Sequence, residues 1–258
     1  MGAIVSSQAF MPPIPTRPSS PMIYLHTAQQ TYIPMIHIKY PGAKYCILFS
    51  HGNGEDLGMI EGTIIRLSEQ LGADVVAYDY SGYGYSYAEP STSSISSKLM
   101  PSEAYTTGDI RAVYDYITHK CQISPFNCIL MGRSLGTGPT IELATRKPVG
   151  GVIFQSGFLS AIRVMYSTPF TLPFDIFANC DKIARISSPI LFIHGTADTV
   201  INIEHSRKLC QIAKKAKKDC YYLWIAGADH NDIEQRFGEQ YYMALRKFVE
   251  VIRPKYSH

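Results

Sequence analysis

Net charge is what this sequence has least of: 24 Lys and Arg stand against 21 Asp and Glu, a formal surplus of +3 in 258 residues. So slight a surplus argues against a dedicated nucleic-acid binder, whose cations crowd one face. There is no apolar run of about 18 residues, so no membrane-spanning helix is expected. The N-terminus also lacks the apolar stretch of a secretory signal. The six cysteines, Cys46, Cys121, Cys128, Cys180, Cys210 and Cys220, form no C-x-x-C pair. They read as buried free thiols in a reducing compartment, not as a disulfide frame or a metal site, and no cofactor is expected. What is present is a chain 46% hydrophobic and 17% charged, long enough to bury a substantial core without staples.

Residues 1–30 are punctuated by Pro12, Pro13, Pro15, Pro18 and Pro21, which excludes a regular helix and predicts an extended arm. The folded domain is expected over 31–258. It opens with strand, turn, strand, and Pro41-Gly42 between two apolar runs predicts a hairpin. A rhythm then sets in. Short β-branched or aromatic runs at 45–50, 74–78, 128–131, 151–154, 190–194 and 221–225 predict strands. Helix-length segments at 57–71, 103–120, 135–146, 204–218 and 233–251 lie between or after them. Such alternation implies parallel pairing, right-handed crossovers and a mostly parallel sheet with helices on both faces. One polar stretch, 85–100, breaks the rhythm with the serine-rich run 91–97. It reads as a solvated loop, with a lid or regulatory loop as the alternative.

Gly132-Arg133-Ser134-Leu135-Gly136 is a G-x-S-x-G pentapeptide placed after an apolar strand and before a helical segment, the setting of a nucleophile elbow. The turn is so tight that side chains two positions either side of the serine would meet neighbouring backbone. A serine hydroxyl needs a base, and the base needs a third group to fix its tautomer. In chain order after Ser134, the strand 190–194 is followed by Asp198 and the strand 221–225 by His230, so all three emerge at one sheet edge. Asp229 and Asp232 are alternative acids, ranked behind Asp198 because near neighbours in sequence seldom face the same ring. The segment Ser50-His51-Gly52-Asn53-Gly54 follows another strand. The main-chain amides of Asn53 and Leu135 are the expected oxyanion donors, each worth about 3 kcal/mol of transition-state stabilisation.

Taken in order, HGNGEDLG (51–58), YDYSGYG (78–84), PSE (101–103), GRSLGTGPT (132–140), IHGTADTVI (193–201) and HNDIE (230–234) resemble the α/β-hydrolase-domain-containing protein 17 family. Its members are serine hydrolases implicated in removing palmitate from cysteines of membrane-associated proteins. The likeness runs from 9 to 258 and includes the arm segment Ala9-Phe10-Met11-Pro12-Pro13. It implies an α/β-hydrolase fold without a large cap, and Ser134, Asp198 and His230 as the triad, as the residues themselves suggest. Four features depart from the family pattern. The 85–100 loop is longer, Arg133 replaces a Gln, and Asp229 replaces a Gly beside the histidine. The family's N-terminal cysteine cluster is missing. In its place stands Met1-Gly2-Ala3-Ile4-Val5-Ser6, which fits N-myristoylation at Gly2. One such chain binds membranes with K on the order of 10⁴ M⁻¹, so reversible attachment to the cytosolic face of membranes is expected.

Three functions are therefore in view. The first is an acyl-protein thioesterase acting on S-acylated proteins through an acyl-enzyme. The second is a carboxylesterase or lipase using the same groups on small or lipid esters. The third is a membrane-associated scaffold with an inactive hydrolase domain, which the intact Ser-Asp-His set disfavours. The chain is expected to act as a monomer, without nucleic acid.

Overall fold

The computed structural model describes residues 9–89, 99–166, 168 and 170–252. The chain enters along one side of the domain and makes two strands, β1 (Ile23–His26) and β2 (Thr31–Ile38), before the first buried strand, β3 (Cys46–Ser50). Helix α1 (Leu57–Leu71), β4 (Asp74–Tyr78) and the short β5 (Tyr87–Ala88) follow, then α2 (Glu103–Asp115), which runs on into a π-helical turn over Tyr116–Lys120. Next come β6 (Cys128–Arg133), a 3₁₀ turn over Ser134–Gly136, α3 (Thr137–Ala144) and β7 (Gly151–Gln155). The rest of the chain supplies α4 (Ala161–Met165), α5 (Asn179–Lys182), β8 (Ile190–Gly195), α6 (Glu204–Lys215), β9 (Cys220–Ile225), α7 (Ile233–Arg236) and α8 (Gly238–Ile252).

The strand order is β1-β2-β4-β3-β6-β7-β8-β9, with β5 paired to β2. From β4 to β9 every pairing is parallel; β1, β2 and β5 are antiparallel. This is the α/β-hydrolase architecture, and no large cap is present among the described residues. Two-residue periodicity sends alternate side chains to opposite faces. Cys46 and Leu48 of β3, with Leu130 of β6, join the core under α2, α3 and α6. Ile47, Phe49 and Met131 join the core under α1 and α8. Local chemistry sets the ends of α1. Asp56 caps its N-terminus by accepting the Met59 amide at 3.0 Å, and Gly72 closes its C-terminus in the left-handed region, φ 61°.

Three expectations need correction. Pro41-Gly42 makes a turn but no hairpin, because β4 inserts between β2 and β3. A turn signal reverses the chain without choosing its neighbour, and β3, buried along its whole length, needs a partner strand on each side. The hairpin instead joins β1 to β2, so the sheet begins inside the segment read as the proline-punctuated arm. The last helix is broken at Phe237, whose backbone leaves the helical region just before Gly238. Of the 85–100 stretch, Tyr87 and Ala88 form a strand, whereas residues 90–98 lie outside the described residues, as does Gly2. Among the described residues no helix is long and apolar enough to cross a membrane.

Leu48 sits at the centre of the sheet, opposite Val76 of β4 and Leu130 of β6, with no solvent exposure. Leu48→Ala is expected to cost about 2–5 kcal/mol of stability. A lower urea midpoint at unchanged slope would report it.

Candidate active site

Parallel register puts the chemistry on one edge. Ser50, the last residue of β3, lies opposite Gly132 of β6, and Gly195, the last of β8, lies opposite Ile225, the last of β9. The loops that leave these strands therefore start side by side, at the carboxyl ends where such sheets hold ligands.

Ser134 occupies the left-handed region at φ 51°, a conformation that costs a non-glycine residue energy. The tight turn holds because its flanks are bare. A Cβ at Gly136 would collide with the main-chain carbonyls of Ser50 and His51, and one at Gly132 would lie 2.5 Å from the Gly136 carbonyl oxygen. The elbow thus presses directly on the end of β3. Ser134 is nearly buried and its Oγ stands 3.1 Å from Nε2 of His230. Nδ1 of the same ring stands 2.7 Å from Oδ2 of Asp198. Asp229 and Asp232 do not bond the ring. Asp229 accepts the amide and hydroxyl of Thr199, at 2.8 and 3.0 Å, clamping the Asp198 loop to the His230 loop. Asp232 accepts the Asp229 amide at 2.7 Å and pairs with Arg236.

Burial by itself would raise the Asp198 carboxyl, but the hydrogen bonds it accepts from His194, His230 and the Ile201 amide outweigh that and hold it well below the usual carboxylate range. It stays an anion, so the Nδ1 of His230 that faces it carries the ring proton and Nε2 is free to accept from Ser134. His194 was not singled out in the sequence. It is fully buried at the end of β8, with Nε2 3.1 Å from Asp198 Oδ2 and 2.8 Å from the Ile201 carbonyl. Facing two acceptors, that nitrogen must be protonated, and its donation fixes the carboxylate from below. The only sequence signal was a polar residue closing an otherwise apolar strand.

Arg133 also has a job. Its guanidinium pairs with Glu55 Oε1 at 3.0 Å and donates to Asn231 Oδ1 at 3.1 Å. The other oxygen of Glu55 accepts the Gly52 amide at 2.7 Å. One half-buried cation thereby ties the elbow to the loop after β3 and to the residue beside His230. Asn53 and Leu135 both border the cleft, and the Asn53 carboxamide is occupied elsewhere, so what it can offer a ligand is its main-chain amide. The cleft is an apolar cavity of about 620 Å³ that reaches Ser134 and His230. A smaller polar cavity of about 170 Å³ shares Arg133 and His230 with it.

Fold and cleft together define a hydrolase of the α/β class. The family model described as the alpha/beta hydrolase fold matches residues 45–179. The chain is 38% identical over 210 residues to Alpha/beta hydrolase domain-containing protein 17C of Xenopus tropicalis, covering 81% of this chain and 63% of that protein. It is 39% identical over 210 residues to the human 17B protein, covering 81% of this chain and 67% of that protein. The match spans about three fifths of the length of the curated 17C relatives. An esterase of Pyrococcus furiosus superposes with a TM-score of 0.73 at 16% identity, over 93% of this chain and 98% of that one. A monoacylglycerol lipase of Paleococcus ferrophilus does so at 0.60 and 21% identity, over 84% and 99%. The chain belongs to the α/β hydrolase domain-containing protein 17 family.

Beneath the Asn53 loop lies a buried pair with a pH signature. Asp79 Oδ1 accepts the Leu57 amide at 2.9 Å and lies 3.5 Å from Nε2 of His51, which has no hydrogen-bond partner among the described residues. Burial pushes Asp79 up to about 8 and His51 down, so they meet as neutral groups and not as an ion pair. An unfolded Asp titrates near 3.9. An unfolded His titrates near 6.5, so below about that pH the proton lost by the lowered His51 offsets the one gained by Asp79. Above it the folded chain holds an extra proton on Asp79, and stability falls as pH rises through about 8. Urea titrations from about pH 6.5 to about pH 9 should show stability falling in wild type and a shallower fall in Asp79→Asn.

Proposed function

We propose that this hydrolase is a serine hydrolase that cleaves acyl thioesters, with palmitoylated cysteines of membrane-associated proteins as its substrates. The observation that carries the reading is the apolar cavity ending on the Ser134 hydroxyl. Its walls include Leu135, Phe158, Val164, Met165 and Phe177, a lining suited to an alkyl chain and not to a peptide. Ser134 Oγ attacks the thioester carbonyl while His230 Nε2 takes its proton, and the carbonyl oxygen becomes an oxyanion facing the Asn53 and Leu135 amides. Collapse expels the thiol, which leaves with the proton from His230. Water then gives its proton to His230, attacks the acyl-serine and releases the fatty acid, restoring the hydroxyl. Asp198 remains charged throughout and stabilises the imidazolium that forms at each stage.

A second reading, hydrolysis of lipid oxyesters, is favoured by the polar cavity beside His230. Gln155 and Glu234 line it, and it would suit a small polar alcohol as the leaving group. A panel of thioesters and oxyesters of increasing chain length separates the two. Turnover should rise with chain length, and long-chain thioesters should outpace matched glycerol esters; the reverse ranking would favour the lipase. Ser134→Ala should abolish labelling by a fluorophosphonate probe and cut turnover by about 10⁶-fold. Labelling absent from the wild type as well would favour a scaffold.

Attachment to the cytosolic face of membranes through an acyl group on Gly2 belongs to the same proposal, since the substrates reside there. It predicts that Gly2→Ala moves the protein from the membrane to the soluble fraction of cells. An unchanged distribution overturns it.

A further inference from the structure

Among the described residues the extended arm reaches the active-site cleft at Ala9 and Met11, and there it grips the residue proposed to donate to the oxyanion. The Asn53 carboxamide donates through Nδ2 to the Ala9 carbonyl at 2.9 Å and accepts at Oδ1 from the Met11 amide at 2.8 Å. The two bonds straddle Phe10 as the peptide of a neighbouring strand would. The Tyr83 hydroxyl donates to the same Oδ1 at 2.6 Å and lies 3.2 Å from the Met11 amide. Phe10 itself is 4% exposed, a degree of burial at odds with a loose tail. Its ring stands edge-on to Tyr83, centroids 6.5 Å apart, and to Phe177, 5.8 Å apart. The Phe177 ring in turn fills the space a side chain at Gly138 would need, in the helix directly behind Ser134. One aromatic ring of the arm is therefore wedged between a tyrosine bonded to the Asn53 loop and a phenylalanine seated on the Ser134 helix.

That loop, and the turn that leads into that helix, carry the two amides assigned to the oxyanion. Asn53 lies between Gly52 and Gly54, the latter at φ 71°, so its own backbone gives the amide little stiffness. We propose that the arm segment 9–11 belongs to the catalytic machinery, with Phe10 and the Asn53 side chain as positioning residues that hold the Asn53 amide at its working distance from that of Leu135. The proposal rests on the serine-hydrolase reading above. Loss of one oxyanion donor costs about 10²–10³ in kcat, so loosening one should cost a tenfold to hundredfold part of that.

The test uses the full-length chain, a water-soluble short-chain nitrophenyl ester and no membranes, so that lipid attachment plays no part. Asn53→Ala keeps the main-chain amide and removes only the clamp. It is expected to lower kcat by about 10–10²-fold with KM little changed, and to weaken an alkyl trifluoromethyl ketone, whose adduct places an oxyanion in the hole, by the same factor. Affinity for the fatty-acid product should hold. Phe10→Ala should behave alike and Phe10→Leu should recover most of kcat; if Phe10→Ala fails to fold, Asn53→Ala decides. Folded Asn53→Ala with wild-type kcat and wild-type ketone affinity overturns the arm's role while leaving the hydrolase reading intact. A wild-type chain that neither turns over ester nor takes the fluorophosphonate probe overturns both.

Discussion

The contact on which the rest of the structure depends is that between the Ser134 turn and the end of β3. Ser134 sits at a positive φ, and Gly136 lies against the carbonyls of Ser50 and His51 with no room for a side chain. A strained residue of this kind costs on the order of 1–3 kcal/mol and persists only where its surroundings over-determine it. Here β6 is held between β3 and β7, both parallel to it and buried along their length, and α3 is packed behind it, so the turn has nowhere to relax. The same contact brings the loop after β3 beside the Leu135 amide and turns the serine hydroxyl toward His230.

Around that contact the polar groups form a supporting framework. Arg133 joins the elbow to Glu55 and Asn231, Glu55 holds the Gly52 amide, and Thr199 with Asp229 locks the two loops that carry Asp198 and His230. His194 supports the Asp198 carboxylate from the strand below. The bonds of Glu55 and of Asp198 are half-buried or buried, those of Asn231 and Thr199 are exposed, and each engages a loop that is otherwise irregular. The edge of a sheet, assembled from four loops, thereby gains the rigidity that positioning of reacting groups demands.

The elements most legible in the sequence were those with the strongest periodicity. Helix α1 spans the expected 57–71 and β4 the expected 74–78, because caps at Asp56 and Gly72 and an unbroken apolar run state their own limits. Less legible was anything that depended on which strand lies beside which. Pro41-Gly42 marked a reversal but not the insertion of β4, and prolines through residue 21 hid the strand that follows at Ile23. In the cleft, strand-ending motifs located Ser134, Asp198 and His230. His194, Glu55 and the Asn53 carboxamide carried no spacing signal: Arg133, Ala9 and Met11, which Glu55 and Asn53 bond, are remote in the chain, and His194 meets Asp198 and Ile201 only because the loop after β8 folds back over it.

The amino-acid order alone determined the alternating α/β plan, the glycines the elbow requires and the family to which the chain belongs, because each is written in local spacing or in contiguous motifs. Tertiary structure alone decided strand order, the distances that join three remote side chains, and the seating of Phe10 against the Ser134 helix. Those features arise from burial and hydrogen bonding between segments tens of residues apart, where short-range periodicity records nothing about which surfaces meet.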